Sequence, residues 1–229
     1  MDVLGRHIKD MERANPKASL MKRKRSAIVE AASEAFLESG YAETSMDRIA
    51  EAADVSVKTV YRHFKNKDDL FSAVMQAACN RGGPEDLEDS DGKPSLPLDR
   101  PWFTKPARAA LTLAGSEYLQ HILSKEQLAL YRVVMRDAHR FPDLGRSYRD
   151  MVVENRIAVF THFLRLRAPV EEWKIKNPRG AALVFDALLR AGLFEDALQG
   201  LHEPSEQEIA AHARSAAVNM LVLLQSGCL

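Results

Sequence analysis

Apolar positions along the chain recur at intervals of three and four, and the alternating Val/Ile/Thr-rich pattern of strands is missing. Ile28, Ala31, Ala32, Ala35 and Phe36 form the first stripe. It stops at Ser39-Gly40, where glycine suits a left-handed residue just past a helix. Ser45 is placed to cap a short helix carrying Met46, Ile49, Ala50 and Ala53, and Ser56 to cap another running to Phe64. Lys67-Asp68-Asp69-Leu70 opens a fourth, with its carboxylates where the helix dipole favours negative charge. Five longer patterns cover 106–123, 125–140, 144–167, 178–200 and 205–225. Ser124 caps the second of these and Phe141-Pro142 ends it, while the third is long enough to be kinked or split. Pro178 and Gly200 bracket the fourth, and Ser205-Glu206-Gln207-Glu208 opens the fifth as a capping box. The pattern predicts an all-α protein.

Composition adds bounds rather than a new picture. The 229 residues are 46% hydrophobic and 28% charged, enough apolar surface for one or two buried cores. The formal net charge is zero, but its distribution is uneven: residues 13–67 hold 11 basic and 7 acidic side chains, including the run Lys22-Arg23-Lys24-Arg25. Residues 84–92 carry five acids and no base, between Gly82-Gly83 and the prolines at 94, 97, 101 and 106. Such a stretch cannot bury a face and reads as a connector. The boundaries expected are a flexible basic arm over 1–22, a first domain over 23–80, an acidic and Pro-rich connector over 81–105, and a second domain over 106–229. The apolar stretch 216–224 is interrupted by Asn219 and falls short of the roughly 18 residues of a membrane span. With no apolar leader at the N-terminus and two distant cysteines, Cys79 and Cys228, the expectation is a cytoplasmic protein without a zinc site.

Residues 44–70 carry the most specific pattern. Two short helices flank a tight turn at Ala53-Asp54-Val55, with the small Ala50 at the crossing and Ile49, Val55 and Val60 as apolar contacts. That is a helix-turn-helix, whose second helix enters the major groove of DNA. With Ile49, Val55, Val60 and Phe64 facing inward, Val57, Lys58, Tyr61 and Arg62 face outward. Lys58 is then able to donate to guanine and Val57 to pack on a thymine methyl. Tyr61, His63 and Lys67 are suited to phosphate oxygens. A plainer reading has Tyr61 and His63 capping a small core, with Lys58 and Arg62 solvated.

Over residues 25–72 the chain resembles the DNA-binding domain of the TetR family of bacterial repressors. Ala32, Phe36, Gly40, Ser45, Ile49-Ala50, Val55-Ser56, Thr59, Tyr61, His63-Phe64, Lys67 and Leu70 carry the likeness. By position, the resemblance implies that Val57 and Lys58 read bases, that Ser45, Tyr61, His63 and Lys67 hold phosphates, and that Thr59 supports the helix. Arg62 joins the expected base contacts, and Thr44 and Arg25 the phosphate contacts. Two positions depart from the family pattern: Asp54 stands where the turn commonly has Gly, and Asp47, whose carboxylate repels phosphate, is left out of the contact set. The expected architecture is an N-terminal three-helix bundle with a helix-turn-helix, followed by a larger helical ligand-binding and dimerisation domain.

The stretch 131–144, Y-R-V-V-M-R-D-A-H-R-F-P-D-L, is similar to the subgroup with AefR-like C-terminal domains. That resemblance implies a homodimer on a pseudo-palindromic double-stranded operator, with Leu188, Leu189, Gly192, Leu193, Ala213, Ala217, Met220, Leu221 and Leu224 at the interface. The alternative is that these stripes bury within one subunit. It also implies a pocket for a small apolar or amphipathic ligand, with Trp102, Phe103, Tyr118, His121, Tyr131, Met135, Phe160 and Phe163 as candidate lining, each of which also reads as an ordinary core residue. No cofactor motif, metal-spaced cluster or nucleophile motif is visible, and the seven histidines are scattered, so an enzyme is not expected. The rival within the same class is a DNA-binding regulator controlled by a partner or by abundance.

Overall fold

The computed structural model describes residues 16–80 and 100–229, with side chains over 19–78 and 100–229, and every regular element among them is a helix. The first unit comprises α1 (Pro16–Glu43), α2 (Met46–Ala52), α3 (Val57–His63) and α4 (Lys67–Asn80). Residues 1–15 and 81–99 of the expected arm and connector lie outside the described residues. Residues 16–22, expected as part of a flexible arm, are instead the first turns of α1. Proline is tolerated at a helix start, and the Leu, Met, Lys and Arg that follow lose little rotamer freedom in a helix.

Gly40 interrupts α1 with φ +86° and ψ 171°. This is not the left-handed helical conformation expected from the sequence but a region open essentially only to glycine. A Cβ here would also meet the Arg136 guanidinium, which would have to swing aside.

The second unit starts with a 3₁₀ turn (Pro101–Thr104) inside the expected connector, because Trp102 is buried and anchors it to the larger core. There follow α5 (Ala107–Ile122), α6 (Lys125–Asp137), α7 (Pro142–Tyr148), a π-helical turn (Arg149–Glu154), α8 (Asn155–Arg167), α9 (Pro178–Arg190), α10 (Leu193–Gln199) and α11 (Glu206–Ser226). The pattern expected over 178–200 is two helices, because Gly192 takes φ +76° between them. The capping box of Ser205 and Glu208 forms as expected. No described helix is long and apolar enough to cross a membrane.

Two cores result. The larger is built from α5, α8, α9 and α11 around Leu111, Leu119, Phe160, Phe163, Phe185, Leu189 and Met220. Gly115 lets these helices close up, since a Cβ there would lie 2.7 Å from Leu189 Cδ2. The smaller holds Ile28, Phe36, Tyr41, Ile49, Val60, Phe64, Leu70, Phe71 and Met75, with Phe36 stacked on Tyr41 and Phe71 edge-on to both, at ring separations of 5.1–5.5 Å. It is completed from outside the first unit by Leu130, Val133 and Val134 of α6 and Leu144 of α7. Helix α6 therefore serves both cores, since Leu128 belongs to the larger one.

Candidate nucleic-acid interface

The two crossed helices are set by their ends. Ser45 Oγ accepts from the Arg48 amide at 3.2 Å and starts α2, and Ser56 Oγ accepts from the Thr59 amide at 3.2 Å and starts α3. Each such cap contributes about 1 kcal/mol. Between them Asp54 takes φ +51°, a left-handed conformation that Asp tolerates better than most residues, and the Val55 amide donates to the Ala50 carbonyl at 3.0 Å. Ile49, Ala50 and Val60 are fully buried at the crossing. Thr59 is half-buried and its hydroxyl bonds Ser56 Oγ at 2.9 Å, consistent with the supporting role expected of it.

What α3 leaves outside is a stripe of Lys58, Tyr61 and Arg62 at helical spacing. Tyr61 is 53% exposed, and none of the three has an ion-pair or hydrogen-bond partner among the described residues. Lys65, which sequence reasoning passed over, is exposed in the loop just beyond α3; its basic type between Phe64 and Lys67 was the only available signal. Arg25 is exposed next to this loop with its guanidinium 5.0 Å over the Phe64 ring, a cation–π contact that ties the first turns of α1 to the end of α3.

Other expected contacts are placed differently. Val57 is half-buried and packs on the smaller core, so Lys58 is the first fully outward side chain of α3. Thr44 is buried, and its hydroxyl donates to the Gly40 and Ala35 carbonyls at 2.7 and 3.0 Å, closing the frayed end of α1 instead of reaching out to phosphate. His63 Nε2 is enclosed without a partner. Burial first, then the charges of Arg62, Arg25 and Lys24, hold that imidazole below its usual value and keep it neutral at pH 7. Lys67 turns inward: its Nζ donates to the carbonyls of Tyr41 (2.8 Å), Thr44 (2.9 Å) and Ala42 (3.4 Å) and lies 4.4 Å from the Tyr41 ring centroid. An ammonium has three donors, and all three are taken.

In the second unit, Trp102, Tyr118, Phe160 and Phe163 are buried core residues and Phe103 is half-buried against them. The Tyr118 hydroxyl donates to Asp186 Oδ1 at 2.8 Å, and Arg156 pairs with the same carboxylate at 2.8 Å. Tyr131 stands edge-on to Phe194 and Tyr148. His121 lines a separate cleft of about 460 Å³ with Ala78, Glu117, Gln120 and Gln127. Met135 is 60% exposed on α6. Of the expected interface residues, Leu189, Ala213, Ala217, Met220 and Leu224 are buried within the subunit, Leu188, Leu193 and Leu221 are half-buried, and Gly192 is exposed. The faces left open are Leu183 and Ala187 on α9, and Ala211, Val218 and Val222 on α11.

Comparison with known proteins places this geometry. Residues 28–74 match the model for bacterial regulatory proteins of the tetR family, and residues 109–223, half of the chain, match the C-terminal domain of AefR-like transcriptional repressors. The chain belongs to the TetR family. As a TetR-family regulator it acts on transcription and is not an enzyme. A TetR-family regulator from Mesorhizobium loti shares the fold with a TM-score of 0.71 and 26% identity, over 89% of this chain and 97% of that one. The flavonoid-responsive regulator FrrA is similar at a TM-score of 0.69 and 27% identity, over 88% and 96%. The HTH-type transcriptional regulator YhgD of Bacillus subtilis is 35% identical over 75 residues, 33% of this chain and 38% of that protein. Such curated relatives are matched over about a third of their length.

Proposed function

We propose that this TetR-family protein is a homodimeric repressor that reads a pseudo-palindromic operator with α3 and is released by a small aromatic, apolar or amphipathic ligand. The observation that carries it is the stripe of Lys58, Tyr61 and Arg62, exposed and unpaired on a short helix whose start and rear face are both fixed. Lys58 and Arg62 supply donors for guanine O6 and N7, and the exposed Tyr61, Ser45 and Arg25 supply groups for phosphate oxygens. A two-fold dimer presents two such helices to successive major grooves, which makes the site palindromic.

The dimer face of this reading is the outer stripe of Leu183 and Ala187 on α9 with Ala211, Val218 and Val222 on α11, because Leu189, Ala213, Ala217, Met220 and Leu224 of the stripe expected from the sequence are buried inside the subunit. The aromatic side chains gathered in the larger core and the name of the flavonoid-responsive neighbour favour a planar ligand in the second unit. A ligand that prefers one arrangement of that unit lowers DNA affinity by its differential binding energy.

The test is selection of duplexes from a random pool by the purified protein, followed by binding with and without a panel of flavonoids. Enrichment of an inverted repeat, weakened by Lys58→Ala and Arg62→Ala, is expected. Recovery of no enriched sequence overturns the operator reading.

A further inference from the structure

The segment 131–144 contains side chains that the DNA-reading site does not use, and they converge on one short turn. Asp137, at the end of α6, is 4% exposed. Its Oδ2 accepts from the Tyr41 amide at 2.9 Å and from the Ala42 amide at 3.4 Å, and Arg136 Nη2 lies 3.2 Å from the same oxygen. Those two amides lack helical partners because Gly40 has just broken α1, and they lead directly into Ser45, the cap of α2. Arg136 Nη2 also reaches the Ser39 carbonyl at 3.3 Å, and the Phe141 ring stands edge-on to Tyr41 at 5.0 Å. The carbonyls of the same turn hold Lys67. The turn is thus gripped at its amides by the second unit and at its carbonyls by the first.

Helix α6 is tied at other points too. Arg132 donates through Nε and Nη2 to the Leu198 and Ala197 carbonyls of α10, at 2.8 and 3.1 Å, and Gln127 Nε2 donates to the Ala78 carbonyl of α4 at 2.8 Å. Helix α10 is itself bounded by Gly192 and Gly200, both at positive φ. A continuous bonded path therefore runs from α10 through Arg132 and α6 to Asp137 and the entry of the helix-turn-helix.

We propose that Asp137 is a positioning residue for DNA reading: by holding the Tyr41 and Ala42 amides it transmits the position of α6, and with it the state of the second unit, to the angle of α3. The inference rests on the operator-reading function proposed above and names the residue through which that function is controlled. A carboxylate on two main-chain amides is a charge-assisted contact with little freedom, so a shift of α6 moves backbone and not merely a flexible side chain.

The test uses full-length Asp137→Asn and Asp137→Ala, with Leu111→Ala as a variant that destabilises the larger core away from the turn. Affinity is measured for the duplex selected by the wild type and for a scrambled duplex, and amide exchange is followed residue by residue. With Asp137→Ala, specific affinity is expected to fall about tenfold or more while scrambled-duplex affinity stays within about twofold, and exchange at Tyr41 and Ala42 to quicken about tenfold against Ile49 and Val60. Asp137→Asn is expected to fall between, and to stand in where the alanine variant does not fold. Leu111→Ala should lower Tm and leave the specific-to-scrambled ratio intact. An unchanged ratio in both Asp137 variants, or unchanged exchange at Tyr41 and Ala42, overturns the proposal. Should the wild type select no duplex, the operator reading fails by itself and the latch is judged on the exchange rates.

Discussion

Lys67 separates a reading by residue type from one by geometry. Its type and position suggest a phosphate anchor, in which case Lys67→Met would flatten the salt dependence of DNA binding and leave stability alone. The structure reverses both expectations. Two good charged hydrogen bonds, to Tyr41 and Thr44, one long one to Ala42 and a cation–π contact are lost together. Hydrogen bonds to a charged group contribute about 1.5–3 kcal/mol, and a partly exposed cation–π contact adds about 0.5–1. Set against this, burial holds the ammonium below its usual pKa, against the pull of Asp68, Asp137 and Glu43, so part of the gain already offsets desolvation. A net loss of about 2–3 kcal/mol follows, and at 2–4 °C per kcal/mol for a chain of this size Tm should drop by about 4–12 °C. Each phosphate contact removed lowers the slope of log K against log salt by about 0.9, so a dimer altered in both halves loses about 1.8. That flattening is expected for a variant that loses an outward cation at the phosphates, such as Arg25→Ala, and not for Lys67→Met. Thermal melts followed by circular dichroism, and binding titrations from low to moderate salt, read both quantities. A Lys67→Met protein with unchanged Tm and a slope reduced by about 1.8 would refute the reasoning.

Three further outcomes are expected. Gly40→Ala and Gly40→Asn should cost about the same 1–3 kcal/mol, because ψ 171° excludes the left-handed conformation in which asparagine is favoured; an asparagine variant clearly more stable than the alanine one in urea melts would show otherwise. Val222→Glu, on a side chain 59% exposed, should convert a particle of twice 25.6 kDa into one of 25.6 kDa by light scattering without changing the helical signal. Leu189→Ala, fully buried in the subunit, should instead cost about 2–5 kcal/mol and leave the mass unaltered. Burial, with Arg156 and Arg100, holds His121 below its usual pKa, so the folded protein binds fewer protons than the unfolded chain as pH falls through about 6.5, and stability falls with it. Tm should therefore decrease between about pH 7.5 and 5.5, and the decrease should shrink in His121→Gln; an equal decrease in both proteins would exclude this assignment.

The parts of this molecule that are legible in sequence are those set by local chemistry. Ser45, Ser56, Ser124 and Ser205 cap the helices that their positions announce, and Asp54 takes the turn conformation that its side chain tolerates. Periodicity likewise identifies which side of α3 is buried, apart from Val57. What periodicity does not carry is the partner of a buried stripe. Leu189, Ala213 and Met220 read equally well as a face for a second subunit or for the same one, and the small Gly115 across from them decides for the latter. Polar side chains are harder still, because a lysine has the same pattern whether its ammonium meets phosphate or the orphan carbonyls of a turn. Lys67 and Thr44 are separated from the outward set by the break at Gly40, which exposes amides and carbonyls that must find partners, and Asp137 takes the amides. Neither unit closes that account alone: the amides are taken from α6, and the smaller core borrows Leu130, Val133, Val134 and Leu144 from beyond the connector. The DNA-reading unit is therefore not a detachable module that happens to be tethered to a sensor. Its hydrophobic core and the geometry of its entry turn both depend on where α6 stands, so a displacement of α6 needs no separate relay to reach α3.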